Sequence, residues 1–402
     1  MTLFKPVSVE EIKNWASYRI KQKQNFRICG KGNRYISEVS GKGILNCKDI
    51  LSLRKLKSIR FFDPEDMVVG IESGMSIQTL QKVLAQRNMV LPINSWYPDS
   101  CIGSVVACND FGANRMNMGG IRDYIIGIEY INGKGEIVKA GGKVVKNVSG
   151  YDITRMMLGS LGGLGIITSI NFKVLPQPIE PHGMFGVFKD GTWLIKVKEI
   201  HKRRIPLDWI EAVSTSDFKW ILGLGYSGNT LYRKRIEDEI SKVFGNTMQI
   251  LPEKESFNGQ KFTPGEKRFG GFVKYFRDSW EMDKSSFHIF GTFSTEMMLG
   301  FPIDYFCKEN FKILIHPIGA DIHLMHESKQ KNEQLQLLDK IKSFLSNSNG
   351  KLRWVSGASQ CMLNELGNFG VANGYSLTKR LKRHLDPASV FSSPYYEMEF
   401  EE

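Results

Sequence analysis

What this sequence lacks narrows its chemistry before any motif is considered. No stretch approaches the ~18 consecutive apolar residues of a membrane-spanning helix, and the opening MTLFKPVSVEEIKNW holds no apolar leader. The six cysteines, Cys29, Cys47, Cys101, Cys108, Cys307 and Cys361, are scattered. None forms a C-x-x-C pair and none joins histidines at zinc-binding spacing. That argues against a zinc ribbon and against an iron–sulfur cluster carried by this chain alone, so no metal site is expected. Scattered thiols without a leader point to the cytoplasm. The formal charge is +12, yet no basic tract is interleaved with aromatic residues. The cations come in short groups, KQK from Lys21, KRR from Lys202 and KRLKR from Lys379. Dispersed charge of this kind is solvated surface or a docking face for an acidic partner or membrane, and no nucleic-acid partner is expected. No segment is of low complexity and no internal repeat is visible.

What is present suits two or more globular domains, at 402 residues, 42% hydrophobic and 24% charged. Val9, Ile12, Trp15 and Ile20 give residues 1–25 the spacing of an amphipathic helix. FRIC from Phe26 and MVVGIES from Met67 read as strands. SIQTLQKVLAQRN reads as a helix with Ser76 as its N-cap and Ile77, Leu80 and Leu84 on one face. Tyr124 to Gly142 reads as a hairpin, with Asn132-Gly133 supplying a positive-φ turn. Ile153, Met156 and Met157 share a helical face, and Ile170, Phe172 and Val174 alternate along a strand that stops at LPQP. Beyond that boundary, GMFGVFKDG, WILGLGYSG and SSFHIFGTFS read as strands, while LYRKRIEDEISKVFG and LQLLDKIKSFLSNSNG read as helices. Such strand–helix–strand units predict a small antiparallel sheet with helices on one face. Glu255 to Gly271 is polar and glycine-rich, hence a loop. The last fifty residues hold the strand KLRWVSGASQ, a basic helix SLTKRLKRHL, and DPASVFSSPYY.

Three segments are rich in small residues. ICGKGNR, Ile28 to Arg34, ends a strand in glycines that let backbone N–H groups approach an anion, with Lys31 and Arg34 adding charge. It lacks the GK[ST] of a Walker loop and a complete G-x-G-x-x-G, and a simple tight turn explains it equally well. Pro98 to Arg115, PDSCIGSVVACNDFGANR, is dominated by Ser100, Gly103, Ser104, Ala107, Gly112 and Ala113. It suits a backbone packed against a ligand or against core elements. Lys143 to Pro176 clusters glycines at 159, 162, 163 and 165, more than a helix C-cap requires.

Together, in this order, these segments resemble the flavin-binding domain of vanillyl-alcohol-oxidase-like flavoproteins, and within them the FAD-binding (E-type) subunits of glycolate oxidase. The stretch from Gly141-Gly142 through KNVSGYDITRMMLGS to the LGI at Leu164 and the KVLP ending at Pro176 is similar to that family's signature. The likeness covers residues 26–178 and returns faintly at LDPASVF. It implies an α+β protein. A PCMH-type FAD-binding domain of two α/β subdomains over 1–178 is followed by an α+β cap over 182–350, and segment 351–402 returns to the flavin domain. By the resemblance, Cys29, Gly30, Lys31, Gly32, Asn33 and Arg34 form a first pyrophosphate loop. Cys101, Gly103, Ser104, Asn109 and Gly112 form a second. Gly150, Tyr151, Asp152, Gly162, Gly165 and Ile167 flank the flavin, with the Ile167 backbone at its pyrimidine edge. The first loop has no histidine, so FAD is expected to be non-covalent.

The implied activity is oxidation of a small 2-hydroxy acid, glycolate or D-lactate in type, to the 2-oxo acid. The chain would act as a subunit of a glycolate-oxidase-like complex with flavoprotein and iron–sulfur partner subunits and peripheral membrane association through them. Two departures point to an alternative, a non-catalytic FAD-binding or scaffold subunit. SSPYY from Ser392 stands where the relatives have NPGR, and GASQ puts Gln360 where they have a histidine. An amide has no useful proton equilibrium, so no catalytic base is assigned. Arg122 and Arg155 are candidates for a substrate carboxylate or for structural ion pairs. His316, His323 and His326 lie near Asp321 and Glu327, a grouping that strand alternation explains without a site.

Overall fold

The fold is given by a computed structural model describing residues 2–31, 49–93, 95, 97, 99–143, 153–215, 219–250, 256–257, 260–261, 286–299, 311–327, 336–337, 339–341, 343, 350–356 and 375–393. The chain divides into two compact units. The first comprises Met1–Asp110, Gly120–Gln177 and Gln360–Glu402, and the second Phe111–Gly119 and Pro178–Ser359.

In chain order the first stretch holds β1 (Thr2–Phe4), α1 (Val9–Lys21), β2 (Phe26–Cys29), β3 (Asp49–Ser52), β4 (Ile59–Asp63), β5 (Val68–Glu72), α2 (Ile77–Ala85), β6 (Met89–Val90) and α3 (Ile102–Cys108). α4 (Arg115–Met118), which belongs to the second unit, precedes β7 (Ile125–Ile131), β8 (Ile137–Gly141), α5 (Ile153–Met156), β9 (Ile166–Lys173) and β10 (Leu175–Pro176). β1, β3 and β2 pair in parallel, as a sheet fed by crossover connections must. The lead-in is therefore not all helix. Thr2–Phe4 is a strand beside β3, and Phe4 stacks on Trp15 of α1 with ring centroids 5.1 Å apart. α1 starts where Ser8 accepts from the Glu11 N–H, and it buries Ile12 and Ala16.

The second sheet of this unit runs β4-β5-β9-β7-β8, antiparallel throughout. α2, capped by Ser76 as the sequence predicts, packs Ile77, Leu80 and Leu84 into one core with Ile71, Ile170, Phe172 and the apolar side of α3. A register shift at Glu129/Tyr130 skips Thr168 and re-aims the start of β9. Ile166 thereby joins Ile131 in the other core, with Phe26, Leu51 and Phe391, while Ile128 and Ile170 stay in the first. The β7–β8 hairpin turns differently from expectation. Gly135, at φ +79°, takes the left-handed position, and the Asn132 side chain accepts from the N–H groups of Lys134 and Glu136. Gly133 is needed for space, because a Cβ there would lie 2.4 Å from the Asp386 Cα.

The second unit contains β11 (Pro181–Phe188), α6 (Trp193–Lys202), β12 (Trp209–Ser214), β13 (Trp220–Ser227), α7 (Thr230–Phe244) and β14 (Gln249–Ile250). A two-residue ladder follows, β15 (Ser256–Phe257) with β16 (Gln260–Lys261), inside the segment read from sequence as loop. Then come β17 (Ser286–Thr292), α8 (Thr295–Leu299), β18 (Lys312–His316), β19 (Asp321–Glu327) and β20 (Lys351–Ser356). The described residues between 336 and 343 are helical. The last helix, α9 (Tyr375–Leu385), returns to the first unit.

The sheet of the second unit is larger than the small one predicted. Its order is β14-β11-β13-β12-β18-β19-β17-β20, and every pairing is antiparallel. That order corrects the absence of a repeat. Each half is a strand–helix–strand–strand–helix–strand unit, and in each the first strand lies between the fourth and the third, with the second outermost. The halves join through β12 and β18, with Ala212 opposite Ile315 and Val213 opposite Leu314.

Candidate functional site

The three small-residue segments converge within the first unit. β2 delivers Gly30 against α3, where a Cβ on Gly30 would sit 2.6 Å from Ser104 Oγ and 2.9 Å from Cys101 Cβ. The Lys31 ammonium pairs with Asp99 at 2.5 Å, so its charge is already partnered across the first two segments. The C-terminal turn of α3 accepts from the third. Gly159 N–H reaches the Val106 carbonyl at 3.2 Å and Leu161 N–H the Ala107 carbonyl at 2.9 Å. Asn109 caps α3 in the left-handed conformation. Gly162, at φ +78°, brings the third segment back to the first, with Ile28 Cβ 3.8 Å from where its own Cβ would be.

The other glycines answer to protein neighbours. A Cβ on Gly103 would stand 2.8 Å from Ser73 Cβ, and one on Gly165 2.8 Å from the Tyr130 ring. Both are close-packing positions of the core, and Ile167 buries its side chain there too. Burial pushes the Cys101 thiol up to about 11, only partly offset by Arg54, so it stays protonated at neutral pH.

Three hydroxyls around this junction are buried without a hydrogen-bond partner, those of Ser73, Ser100 and Ser160. Orphaned buried hydroxyls are costly in a protein interior, and a ligand rich in acceptor oxygens relieves that cost.

Comparison with known proteins names the ligand. A family described as "FAD binding domain" matches residues 2–141. Residues 2–141 of this chain are similar to an FAD binding domain. Its curated relatives include the glycolate oxidase subunit GlcE of Escherichia coli (strain K12), 36% identical over 130 residues, which are 32% of this chain and 37% of that one. Another is the D-2-hydroxyglutarate dehydrogenase of Xanthomonas citri pv. viticola, 26% identical over 222 residues, 55% of this chain and 46% of that one. The chain thus spans less than half the length of either relative. Among solved structures, alkyldihydroxyacetonephosphate synthase superposes with a TM-score of 0.67 at 13% identity, over 97% of this chain and 76% of that one, a likeness of fold.

The chemistry at the junction fits FAD. The unpartnered serine hydroxyls are donors that pyrophosphate oxygens could meet. Of the residues singled out in the sequence, Cys29, Gly30, Lys31, Cys101, Gly103, Ser104, Asn109, Gly162, Gly165 and Ile167 lie in this FAD-bearing unit. Gly112 falls in the second unit, where its carbonyl accepts from Arg115 N–H at 3.0 Å. Gly32, Asn33, Arg34, Gly150, Tyr151, Asp152 and Gln360 lie outside the described residues. Ser73 and Ser160 went unnoticed in the sequence, because a lone serine beside a strand end or a glycine carries no signal of its own.

The second unit holds a buried polar cluster. His316 Nδ1 lies 2.5 Å from Asp321 Oδ1, and its Nε2 3.2 Å from Glu211 Oε1. His323 Nδ1 lies 2.9 Å from His288 Nε2, and Phe290 stacks on the His323 ring. Burial alone would lower the pKa of His316, but Asp321 and Glu211 outweigh it and raise it to about 10. One donor atom from each of His316, Asp321 and His323 lies within 4.8 Å of the others, a grouping that the sequence did not predict as a site. Both nitrogens of His316 already face carboxylates, so the arrangement is an imidazolium between two acids. A cation there would compete with the His316 proton.

Proposed function

We propose that this chain is the FAD-carrying subunit of an oxidoreductase for a small 2-hydroxy acid of the glycolate or D-lactate type. It would work within a glycolate-oxidase-like assembly whose flavoprotein and iron–sulfur partners take the electrons onward. The observation that carries this reading is the junction of the three segments around unpartnered serine hydroxyls, in a chain 36% identical to GlcE over 130 residues. FAD bound there would supply the hydride-accepting chemistry that oxidation of an alcohol carbon needs and that no side chain offers.

The chain's part is to bind and orient. The loop from Cys29 to Arg34, with Cys101, Ser104 and Asn109, would hold the pyrophosphate. Gly150, Tyr151, Asp152, Gly162, Gly165 and Ile167 would flank the flavin, with no histidine in the first loop to tether it. Among the described residues no helix is long and apolar enough to cross a membrane. Membrane association would therefore come through the partners, which the +12 charge would help to dock. Gln360 favours a second reading, a non-catalytic FAD-binding or scaffold subunit beside a catalytic paralogue.

Anaerobic addition of glycolate or D-lactate to the purified, FAD-loaded chain separates the two. Bleaching of the flavin absorption is the expected result. A flavin that stays oxidised until a partner subunit is added supports the scaffold reading. Folded protein that binds no FAD in a titration overturns the first reading and leaves only a scaffold that holds the fold without the cofactor.

A further inference from the structure

We propose that Lys382 is a positioning residue for the cofactor, holding the third small-residue segment against the strand that leads into the first. The inference rests on the FAD reading of that junction. Lys382 projects from α9, and its Nζ lies 2.8 Å from the Gly163 carbonyl, 2.8 Å from the Phe391 carbonyl and 2.5 Å from Asp386 Oδ2. An ammonium has three N–H donors, and three oxygens meet them. The lysine side chain is 12% exposed and that of Asp386 fully buried. Asp386 in turn accepts from the N–H groups of Val390 and Phe391.

The segment so folded is a strap with two attachments. On one side it extends the small parallel sheet. Phe26 N–H donates to the Val390 carbonyl and Ser392 N–H to the Phe26 carbonyl, each at 2.9 Å, and the Phe391 ring meets Phe26 edge-on. Phe26 opens β2, which ends at Cys29. On the other side the strap holds the third segment by its carbonyls, through Lys382 to Gly163 and through Ser393 Oγ to Leu161 at 2.9 Å. Between those two carbonyls lies Gly162, with no side chain to anchor it. Where a loop is built of glycine, its position is set by what its backbone bonds to, and here two of those bonds come from the strap. A planar guanidinium cannot send three donors to three oxygens around one nitrogen, so arginine is a poor substitute.

The test is an FAD titration of the full-length chain by flavin fluorescence, with far-UV circular dichroism and melting of the FAD-free protein as controls. Lys382→Met is expected to weaken FAD binding about tenfold or more, as loss of charge-assisted hydrogen bonds implies. It should also shift the absorption of the bound flavin. Lys382→Arg should weaken binding by less, and Ser393→Ala by about threefold, the lower end for one neutral hydrogen bond. Wild-type affinity and an unshifted spectrum in folded Lys382→Met would overturn the proposal, even with a lowered melting temperature. If Lys382→Met does not fold, the other two variants decide, and unchanged affinity in both overturns it. A wild-type chain that binds no FAD brings down the reading of the junction, and this inference with it.

Discussion

Glycine 30 and glycine 103 look alike in the sequence and serve different ends. Gly30 lets the first segment touch Cys101 and Ser104, so its neighbours belong to the junction. Gly103 lets α3 lie on Ser73, so its neighbours are packing. Valine at each position separates these roles. Gly103→Val overpacks a filled site and is expected to cost about 1–3 kcal/mol, read as a lower melting temperature with or without FAD. Gly30→Val pushes the first two segments apart and is expected to weaken FAD binding about tenfold, some 1.4 kcal/mol, read by fluorescence titration. Equal FAD affinity in Gly30→Val and the wild type would remove Gly30 from the cofactor's surroundings. The sequence marked both glycines but could not tell them apart, since the difference lies in neighbours thirty or more positions away in the chain.

At the scale of elements, the meeting of β12 and β18 sets a buried charged contact of the second unit. Glu211 and His316 stand one step beyond the Ala212–Ile315 pair, and Asp321 opens β19 beside them. Because His316 holds its proton up to about pH 10 in the folded protein and only to about 6.5 unfolded, the folded state binds the proton more tightly. Its stabilisation is complete below about pH 6.5 and is lost as pH rises through about 10. Denaturant unfolding at pH 6 and pH 9.5 should show the wild type losing stability relative to a His316→Gln variant. That variant strands two buried carboxylates and should itself cost about 3–5 kcal/mol at pH 6. An identical pH slope in both proteins would refute the assignment.

The strong elements of the fold were legible where local chemistry decides them. Ser76 followed by a one-sided apolar run announced α2, and alternation announced β9 and β17. β1 and β3 stayed hidden because three or four residues cannot show a period. Glu211 gave no hint of its role, since only the register of β12 against β18 brings it to His316. The turn of the β7–β8 hairpin was misplaced because Asn132 closes the loop with its side chain as well as its backbone, which moves the left-handed position to Gly135.

On the scale of the whole molecule, the doubled sheet shows why a repeat can be plain in strand order and absent from the letters. Apolar residues of many kinds satisfy the same buried strands, so WIEAVS and KILIH occupy matching places without matching. The meeting of the small-residue segments was legible because glycines at close approaches admit few substitutes. The catalytic residues were not, since Gln360 removes the expected base without naming another. If FAD binds the folded chain alone, saturating cofactor should raise its stability by mass action. At a hundredfold excess over Kd this amounts to about 2.7 kcal/mol. A melting temperature indifferent to FAD, in protein that remains coloured after gel filtration, would mean that the unfolded chain retains flavin too.

The bonds between Phe26 and the Val390–Ser392 stretch carry a consequence for biosynthesis. A ribosome makes Phe26 more than 360 residues before its partners near Phe391. The nascent chain can therefore complete the β4–β9 sheet while the small parallel sheet still lacks a neighbour. Closing that small sheet waits for the synthesis of the Val390–Ser392 stretch.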